Sequence, residues 1–206
     1  MPEQPLRLSL RAEQVLQTRS ALIAAGRRLF GRQGFAATSV EDVAREARVT
    51  TGALYHHFPN KTALFETVFQ EIHTELLEAS ARAAGRATDE REILADGFEG
   101  FLSAVLEPDV QQILIIDAPA VLGLARFTEL DERDAVAVIV ALLASATAAG
   151  RMSVHDPETM ARLLLGALTR GGMLIAGSPD PHATRDTVAR AIRAMLAGLA
   201  TGPASR

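Results

Sequence analysis

The chain of 206 residues contains no cysteine, no tryptophan and a single tyrosine. Without cysteine there are no disulfide bonds, no thiolate nucleophiles and no cysteine-ligated zinc sites. No run approaches the roughly 18 apolar residues that span a bilayer, and residues 1–20 lack the continuous apolar stretch of a secretory signal peptide. Strict alternation of apolar and polar residues never exceeds four positions, so no strand is indicated. These absences favour a cytoplasmic protein built from helices.

What the sequence does contain also favours helices. Hydrophobic residues make up 48% of the chain, and alanine, leucine and arginine, all good helix formers, dominate it. Apolar residues recur at helical spacing between glycine and proline breaks, which predicts an all-α fold of about nine helices. The first helix is expected from Glu13 to Gly31, and Thr38 with Glu41 has the spacing of a capping box for the second. Further helix starts are predicted at Thr50, Asn60, Thr88, Glu129, Asp156 and Thr184.

Charge is distributed unevenly along the chain. Residues 1–62 hold nine Lys and Arg against five Asp and Glu, a net +4, whereas residues 63–206 hold twelve against twenty, a net −8, which together give the overall −4. A basic N-terminal third can bind the phosphates of a DNA duplex, while the acidic remainder faces away from the DNA. Chance segregation of solvated charge gives the same split, so it supports DNA binding only beside a motif.

Residues 38–61 have the pattern of two short helices joined by a tight turn, with a basic residue opening the next helix. The second short helix begins at Thr50 and ends in Tyr55, His56 and His57. A helix-turn-helix places this second helix in the DNA major groove. Adjacent histidines point about 100° apart on a helix, so they do not form the i, i+4 pair that holds a metal. The pattern therefore predicts a DNA interface and no metal site.

The segment FAATSVEDVAREARVTTGALYHHFPNKTAL, preceded by TRSALIAAGRRLFGRQG, resembles the DNA-binding domain of TetR/AcrR-type transcriptional regulators. The resemblance covers about residues 18–65. It implies a homodimer that binds a palindromic operator on double-stranded DNA and releases it when a small-molecule effector enters the C-terminal domain. We expect a flexible arm at residues 1–12, a three-helix DNA-binding domain at 13–60 and a helical effector-binding and dimerisation domain at 61–206.

The predicted DNA contacts divide between phosphates and bases. Helix N-termini and hydroxyls hold phosphate oxygens, and basic side chains make the affinity salt-dependent. The family pattern implies phosphate contacts at Thr38, Thr50, Tyr55 and Lys61, and the position of Arg19 near the start of the first helix adds another. Sequence reading is expected at the start of the recognition helix, from Thr51, Gly52, Ala53 and His56.

Two positions depart from the family pattern. Arg48 stands where the turn usually carries glycine, and a left-handed arginine costs on the order of 1 kcal/mol. We hypothesise that its charge recovers part of that cost through a phosphate contact. Thr51 stands where many relatives carry a basic residue, so one common phosphate contact is expected to be missing.

The last two predicted helices carry small residues among large ones, which permits close helix approach. Two interpretations fit this pattern: a four-helix dimer interface with a symmetry mate, or the interior of one protomer. The family resemblance favours the dimer. Its predicted interface residues are Leu164, Leu168, Gly171, Gly172, Ile175, Val188, Ile192, Met195 and Leu199.

Residues 63–206 resemble, more weakly, the C-terminal domain of the same regulators, through ILIIDAPAVLG and LARFTELDER. An apolar pocket with few polar groups among the middle helices suits a hydrophobic or amphipathic effector. The same apolar stripes equally form plain core, and Asp117 beside Pro119 equally caps a helix start. The predicted pocket residues are Phe98, Phe101, Leu102, Ile113, Asp117, Val121, Phe127, Arg170 and Met173.

Other functions have less support. The sequence has no Gly-rich phosphate loop, no G-x-S-x-G and no H-E-x-x-H, so neither an enzyme nor a cofactor is expected. A helical interaction module with vestigial DNA binding is an alternative, against which Thr38, Tyr55 and Lys61 argue. Among regulators, repression is favoured, while activation or dependence on a co-ligand stays open because the outcome depends on where the operator lies. The effector, the operator sequence and the regulated genes are not encoded in these motifs.

Overall fold

The computed structural model describes residues 10–201, and within that range the chain is helical apart from short connections. The only extended pairing in this range is an isolated antiparallel bridge between Met152 and Ala200. None of the helices described there is long and apolar enough to cross a membrane. The all-α prediction is confirmed. Residues 1–9 of the predicted arm lie outside the described residues, and its last three belong to the first helix.

The N-terminal helices are α1 (Leu10–Ala37), α2 (Val40–Glu46) and α3 (Thr51–His57). The first helix is longer than predicted because Gly31 does not end it. Its break falls at Gly34, whose φ of 80° is a left-handed conformation that glycine adopts readily. Gly31 has a different purpose: a Cβ there would lie 2.6 Å from the Cβ of Asp109, so glycine allows another helix to approach α1.

The cap of α2 corrects the predicted capping box. Ser39, not Thr38, is the N-cap. Its hydroxyl accepts from the Asp42 N–H at 3.0 Å, and the Asp42 carboxylate accepts from the Ser39 N–H at 3.4 Å. These are the reciprocal bonds of a capping box. The pairs Thr38–Glu41 and Ser39–Asp42 have equal spacing, which is why the sequence alone selected the wrong register.

The remaining regular helices are α4 (Lys61–Ala84), α5 (Glu90–Ala104), α7 (Leu124–Ala148), α8 (Pro157–Ala176) and α9 (Pro181–Gly198). Asn60 and Asp156 cap α4 and α8 as predicted, through side-chain bonds to the first-turn amides. The predicted starts at Thr88, Glu129 and Thr184 are wrong: α5 and α9 are capped by Asp89 and Asp180, and α7 begins at Leu124. Both Asp89 and Asp180 accept a first-turn N–H, and a carboxylate there also interacts favourably with the helix dipole.

Between α5 and α7, the segments Pro108–Val110, Gln111–Asp117 and Ala118–Leu122 run end to end, and together we call them α6. The middle segment is π-helical, and its wider turn closes with the Ala118 N–H donating to the Ile113 carbonyl. Pro119 has no N–H and removes the α-helical donor for the Ile115 carbonyl. The predicted proline break is thus a change of helix type, and the end follows at Gly123. With α6 counted once, residues 10–201 form nine helices, as predicted.

One hydrophobic core runs through both parts of the protein. At the junction, Phe30, Phe35 and Phe65 form an aromatic cluster whose ring centroids lie 5.2 to 5.8 Å apart. Phe65 of α4 is fully buried, and burial of such a side chain stabilises the fold by about 1.5–3 kcal/mol. The cluster therefore fixes α1, and the short helices that follow it, on the first turns of α4.

Candidate DNA-binding interface

The turn between α2 and α3 has the left-handed residue that the sequence predicted. Arg48 has a φ of 58°. Its N–H donates to the Arg45 carbonyl at 3.1 Å, and the Val49 N–H donates to the Ala44 carbonyl at 2.9 Å. These bonds satisfy carbonyls at the end of α2. The side chain of Arg48 is exposed, so the turn carries its positive charge at the protein surface.

Helix α3 has one face in the core and one in solvent. Leu54 and Phe58 are buried. Gly52, Tyr55 and His56 are exposed and are spaced three and four residues apart, which places them on one face of the helix. Tyr55 keeps 52% of its surface exposed. Two of the predicted base-reading positions, Gly52 and His56, therefore lie together on the side that solvent reaches.

The start of α3 has two features that suit a close approach by DNA. Thr50 is the N-cap, as predicted, and its Oγ1 accepts from the Ala53 N–H at 3.1 Å, which leaves the hydroxyl hydrogen to donate elsewhere. Gly52 is not required by packing, because a Cβ there would meet only the Thr50 Oγ1, at 3.9 Å. Glycine inside a helix costs up to about 1 kcal/mol relative to alanine. The absence of a side chain at Gly52 leaves the start of α3 open to close approach from outside.

Basic side chains lie at the C-terminal end of α3. The Arg19 guanidinium lies 5.0 Å from the centroid of the Phe58 ring. The rings of His56 and His57 are 5.5 Å apart. Partial burial lowers the pKa of His57 below its ordinary value of 6.5, and the nearby charges of His56 and Arg19 lower it further. Arg19 thus lies beside the recognition helix, held by a cation–π contact.

Two predicted phosphate contacts turn inward instead. Thr38 is only 1% exposed, and its hydroxyl donates to the Gly34 carbonyl at 2.8 Å. The Lys61 ammonium donates to the carbonyls of Phe35 and Thr38, each at 2.8 Å, and lies 4.0 Å from the centroid of the Phe35 ring. Both side chains hold the connection between α1 and α2 in place. The structure gives them a positioning role in place of the phosphate contacts that the sequence suggested.

Comparison with known proteins decides the family. Residues 91–199, just over half of the chain, match the family described as "Tetracyclin repressor-like, C-terminal domain". Residues 22–68 match "Bacterial regulatory proteins, tetR family". The chain belongs to the TetR family of transcriptional regulators. Family membership assigns this TetR-family protein a role in the regulation of transcription.

Individual relatives agree. A TetR-family transcriptional regulator from Pectobacterium atrosepticum is 31% identical, with a TM-score of 0.81 over 93% of this chain and 98% of that one. TtgR from Pseudomonas putida is 39% identical over 72 residues, 35% of this chain and 34% of TtgR. RolR, solved in complex with resorcinol, shares the fold at 19% identity with a TM-score of 0.70 over 90% of each chain. This chain thus spans about a third of TtgR but nearly all of the Pectobacterium regulator.

The predicted effector residues of this TetR-family protein do not meet in any of three surface clefts, which lie between α5 and α9, between α1 and α2, and between α7 and α8. Phe98, Phe101, Leu102, Ile113 and Phe127 are buried in the common core, with Val121 packed against it. Arg170 is exposed, and its guanidinium lies 3.9 Å from the Met173 sulfur. The exposed Arg170 thus lies apart from the buried apolar residues, and contact of either with an effector stays a prediction.

Of the two roles that the sequence left open for Asp117, the structure excludes the helix cap, and contact with a ligand stays a prediction. Asp117 forms no side-chain cap of its own helix. Its Oδ2 instead accepts from the Phe35 N–H at 2.8 Å, which joins α6 to the residue after the α1 break. The side chain that was predicted to meet a ligand thus contacts the DNA-binding part of the regulator.

A polar cluster that the sequence analysis missed lies between α4, α7 and α8. His73 and Asp131 are buried, with Nε2 and Oδ1 3.7 Å apart. The Thr169 hydroxyl lies 3.3 Å from Asp131 Oδ2 and 3.1 Å from the Leu165 carbonyl, and its single hydrogen can be donated to only one of them. The His73 ring stacks on Phe69 with centroids 5.9 Å apart. The contacts of Asp131 with His73 and Thr169 are long for hydrogen bonds between buried polar groups. The available signal was a histidine and an aspartate at core positions of amphipathic helices. Residues 10–201 contain no group of three or more potential metal ligands.

The predicted dimer residues pack inside the protomer. A Cβ on Gly171 would lie 2.6 Å from the Val188 Cγ1, and one on Gly172 would lie 2.9 Å from the Ile115 Cδ1. The other members with buried side chains are Leu164, Leu168, Ile175 and Ile192, while Leu199 is half-buried. Only Met195 of the predicted set is exposed. The dimer prediction is wrong for the buried residues, because the apolar stripe fits the protomer's own core. The large apolar side chains on the outer faces of α8 and α9 are Leu163, Leu174 and Met195.

Proposed function

We propose that this regulator is a homodimeric repressor that binds a palindromic operator through α3 and releases it when a small effector enters the regulatory part. Residues 13–60 serve as the DNA-binding domain and residues 61–206 as the effector-binding and dimerisation domain. The observation that carries the proposal is the exposed face of α3. Gly52, Tyr55 and His56 are accessible to DNA there, while the opposite face of the helix is buried in the core. Such a protein acts in the cytoplasm.

The proposed DNA contacts follow from exposure and chemistry. Thr50 and Tyr55 donate hydroxyl hydrogens to phosphates, and Arg19 and Arg48 supply charge on either side of α3. Bases are read by His56, by the half-buried Thr51 and Ala53, and by close approach of the backbone at Gly52. Phosphate contacts position the protein, so specificity rests on the first turns of α3.

A dimer is needed because each α3 reads one half-site, and half-sites lie about 34–36 Å apart along the duplex. The proposed contact surface is the outer face of α8 and α9, with Leu163, Leu174 and Met195. Their side chains are 48 to 62% exposed in the single protomer. Exposed apolar side chains on adjacent helices support an interface with a second copy.

The proposed effector has an apolar body and one or two polar groups. RolR has been solved with resorcinol, a small aromatic diol. In this chain, His73 and Asp131, whose mutual contact is long, offer a donor and acceptors beside the aromatic face of Phe69. Helix α4 carries His73 and begins at Lys61, so displacement of α4 would move the DNA-binding part. Effector and operator would then weaken each other's binding by the same factor.

The test of DNA binding is selection of operator sequences from random duplexes by the purified protein at two salt concentrations. We expect a palindrome whose affinity falls steeply as salt rises. Gly52→Ala should stabilise the protein by up to about 1 kcal/mol yet weaken operator binding. Gly198→Ala is the matched control, because a Cβ there meets no atom within 4 Å. Failure to enrich any palindrome would overturn the proposal.

Effector control has its own test. Small phenols and related amphipathic compounds are screened for those that raise the thermal unfolding temperature, and each hit is then titrated into the operator complex. A hit that binds the regulatory part should release the operator in proportion to its affinity. If every bound compound leaves operator affinity unchanged, effector control is refuted while DNA binding stands.

A further inference from the structure

The proposed DNA-binding part is residues 10–60, and the proposed regulatory part is residues 61–201. Besides α4, the regulatory part contacts the DNA-binding part along a seam between α1 and α6. The seam consists of Arg27, Gly31, Gly34 and Phe35 of α1 with Asp109, Gln112 and Asp117 of α6. The Arg27 Nε donates to Asp109 at 2.8 Å. The missing Cβ at Gly31 lets the backbone of α6 reach α1. The two helices are thus in direct contact where α1 leads into the helix-turn-helix.

The hydrogen bond from Phe35 to Asp117 lies at the break of α1. Gly34, with φ 80° and ψ 166°, leaves helical geometry. The N–H of Phe35 therefore turns away from the α1 ladder and donates to the Asp117 carboxylate at 2.8 Å. A carboxylate accepting from the first N–H of a helical turn is a favourable, charge-assisted bond. Asp117, which is distant in sequence, thus accepts from a first-turn N–H as a local N-cap residue does in other helices.

The opposite side of the same short segment is held from α4. The Phe35 carbonyl accepts from the Lys61 ammonium, and the Gly34 carbonyl accepts from the Thr38 hydroxyl. Residues 34–38 are therefore fixed between a carboxylate of α6 and an ammonium of α4. Because α2 starts at once after this segment, its backbone sets the direction in which α2 and α3 leave α1.

Asp117 is the last residue of the π-helical turn of α6. In that turn Ile113, Leu114 and Ile115 are buried in the regulatory core. Ile115 packs on α8 closely enough that a Cβ at Gly172 would lie 2.9 Å from its Cδ1. π-helical turns are uncommon and are frequent at functional sites. A change of packing in the regulatory core therefore acts on the turn that ends in Asp117.

We propose that Asp117 is a positioning residue for operator binding: its carboxylate fixes the Phe35 backbone and so orients α2 and α3, and the π-helical turn transmits changes in the regulatory core to that bond. This inference rests on the proposed operator-binding function. Changes in the regulatory core can thus reach the DNA-binding part by two routes, through displacement of α4 and through the contact between α6 and α1. Asp117 needs no contact with DNA or effector for this role.

The experiment compares three variants on the palindrome selected with the wild type. Asp117→Ala removes the acceptor, Asp117→Asn keeps an oxygen that can accept the same bond, and Asp134→Ala removes an exposed carboxylate of α7. We expect operator affinity to fall about tenfold for Asp117→Ala, less for Asp117→Asn, and not for Asp134→Ala. The slope of log affinity against log salt should stay that of the wild type in all three, because every variant keeps the same phosphate-binding side chains.

Hydrogen exchange of the full-length dimer supplies a local readout. Amides of residues 35–38 should exchange faster in Asp117→Ala, with peptides of α8 and α9 unchanged. Wild-type operator affinity in Asp117→Ala, tighter binding, or a loss in Asp117→Asn as large as in Asp117→Ala would each overturn the positioning role. A wild type that enriches no DNA would remove the proposed function and this inference with it, whereas normal wild-type binding beside an unaffected Asp117→Ala removes this inference alone.

Discussion

The DNA-binding part, residues 10–60, and the regulatory part, residues 61–201, are specified in different ways. In the first, short-range chemistry sets the structure: a capping box, a left-handed turn residue and a capped recognition helix. In the second, buried side chains of helices distant in sequence pack on one another, as where Gly172 of α8 meets Ile115 of α6. Local signals therefore suffice to orient α3, whereas the orientation of α8 and α9 depends on which helix each face meets.

Polar bonds differ in the same way. In the DNA-binding part, bonds from side chains to backbone hold the short connections, as at Thr38 and Thr50. The regulatory part has more ion pairs between its helices, such as Glu66 with Arg126 and Arg193 with Glu99. Ion pairs this close to solvent contribute about 0–1 kcal/mol. The regulatory part is therefore stabilised mainly by burial of apolar side chains. Its ion pairs favour one arrangement of the helices over others but contribute little to the free energy of unfolding.

The largest expected effect is at Leu54, the fully buried side chain of α3. Leu54→Ala should destabilise the protein by about 2–5 kcal/mol, because it removes buried methyl groups and leaves a cavity. Operator binding should disappear with it. Chemical denaturation and a gel-shift assay measure the two effects.

The neighbouring residue is the matched control. Tyr55 is half exposed, so Tyr55→Ala should change stability by less than about 0.5 kcal/mol while still weakening operator affinity. Equal destabilisation by the two variants would contradict the division of α3 into a core face and a DNA face.

The second largest effect tests the packing of α8 on α9. An alanine Cβ at Gly171 would lie 2.6 Å from a methyl of Val188, and a β-branched side chain in a helix has little freedom to rotate away. Gly171→Ala should therefore destabilise the protomer by about 1–3 kcal/mol. Gly198→Ala, where a Cβ has open space, should have no such effect.

Thermal unfolding and sedimentation of the two glycine variants separate the two interpretations of this helix pair. Protomer packing predicts lower stability for Gly171→Ala with the dimer affinity intact. If Gly171→Ala instead dissociates the dimer and leaves protomer stability unchanged, the glycine faces the partner after all.

The sequence predicted the all-α fold and most of the recognition helix because those features depend on neighbours within a turn or two. Thr50 caps α3 by bonding three residues ahead, and the strained turn at Arg48 follows from one missing glycine. The errors arise where a distant partner decides. Gly31 is required by the close approach of Asp109 and does not end the helix, and Asp117 bonds to Phe35 rather than to its own helix. No periodicity contains that information.

The turn residue Arg48 offers a smaller test, in which stability and binding move in opposite directions. Arg48→Gly relieves left-handed strain and should raise stability by up to about 1 kcal/mol. It should also weaken operator binding, and removal of one phosphate contact should flatten the slope of log affinity against log salt by about 0.9. Arg48→Asn separates strain from charge, since asparagine tolerates the left-handed conformation. Unchanged or tighter binding by both variants would refute the phosphate contact.

The smallest expected effect concerns acid stability of the regulatory part. Hydrogen bonds from Ser145 and Arg151 lower the pKa of Glu90 from 4.5 to about 2. A lowered folded-state pKa stabilises the protein above pH 4.5, and that contribution disappears as the pH falls from 4.5 to 2. Glu90→Gln should therefore be less stable than the wild type at neutral pH and converge with it near pH 2, whereas Glu71→Gln, which changes an exposed carboxylate of α4, should alter stability at neutral pH by less than about 0.5 kcal/mol. Denaturation at a series of pH values measures this, and a difference that persists unchanged to the acid end of the series would show that Glu90 acts by shape and not by charge.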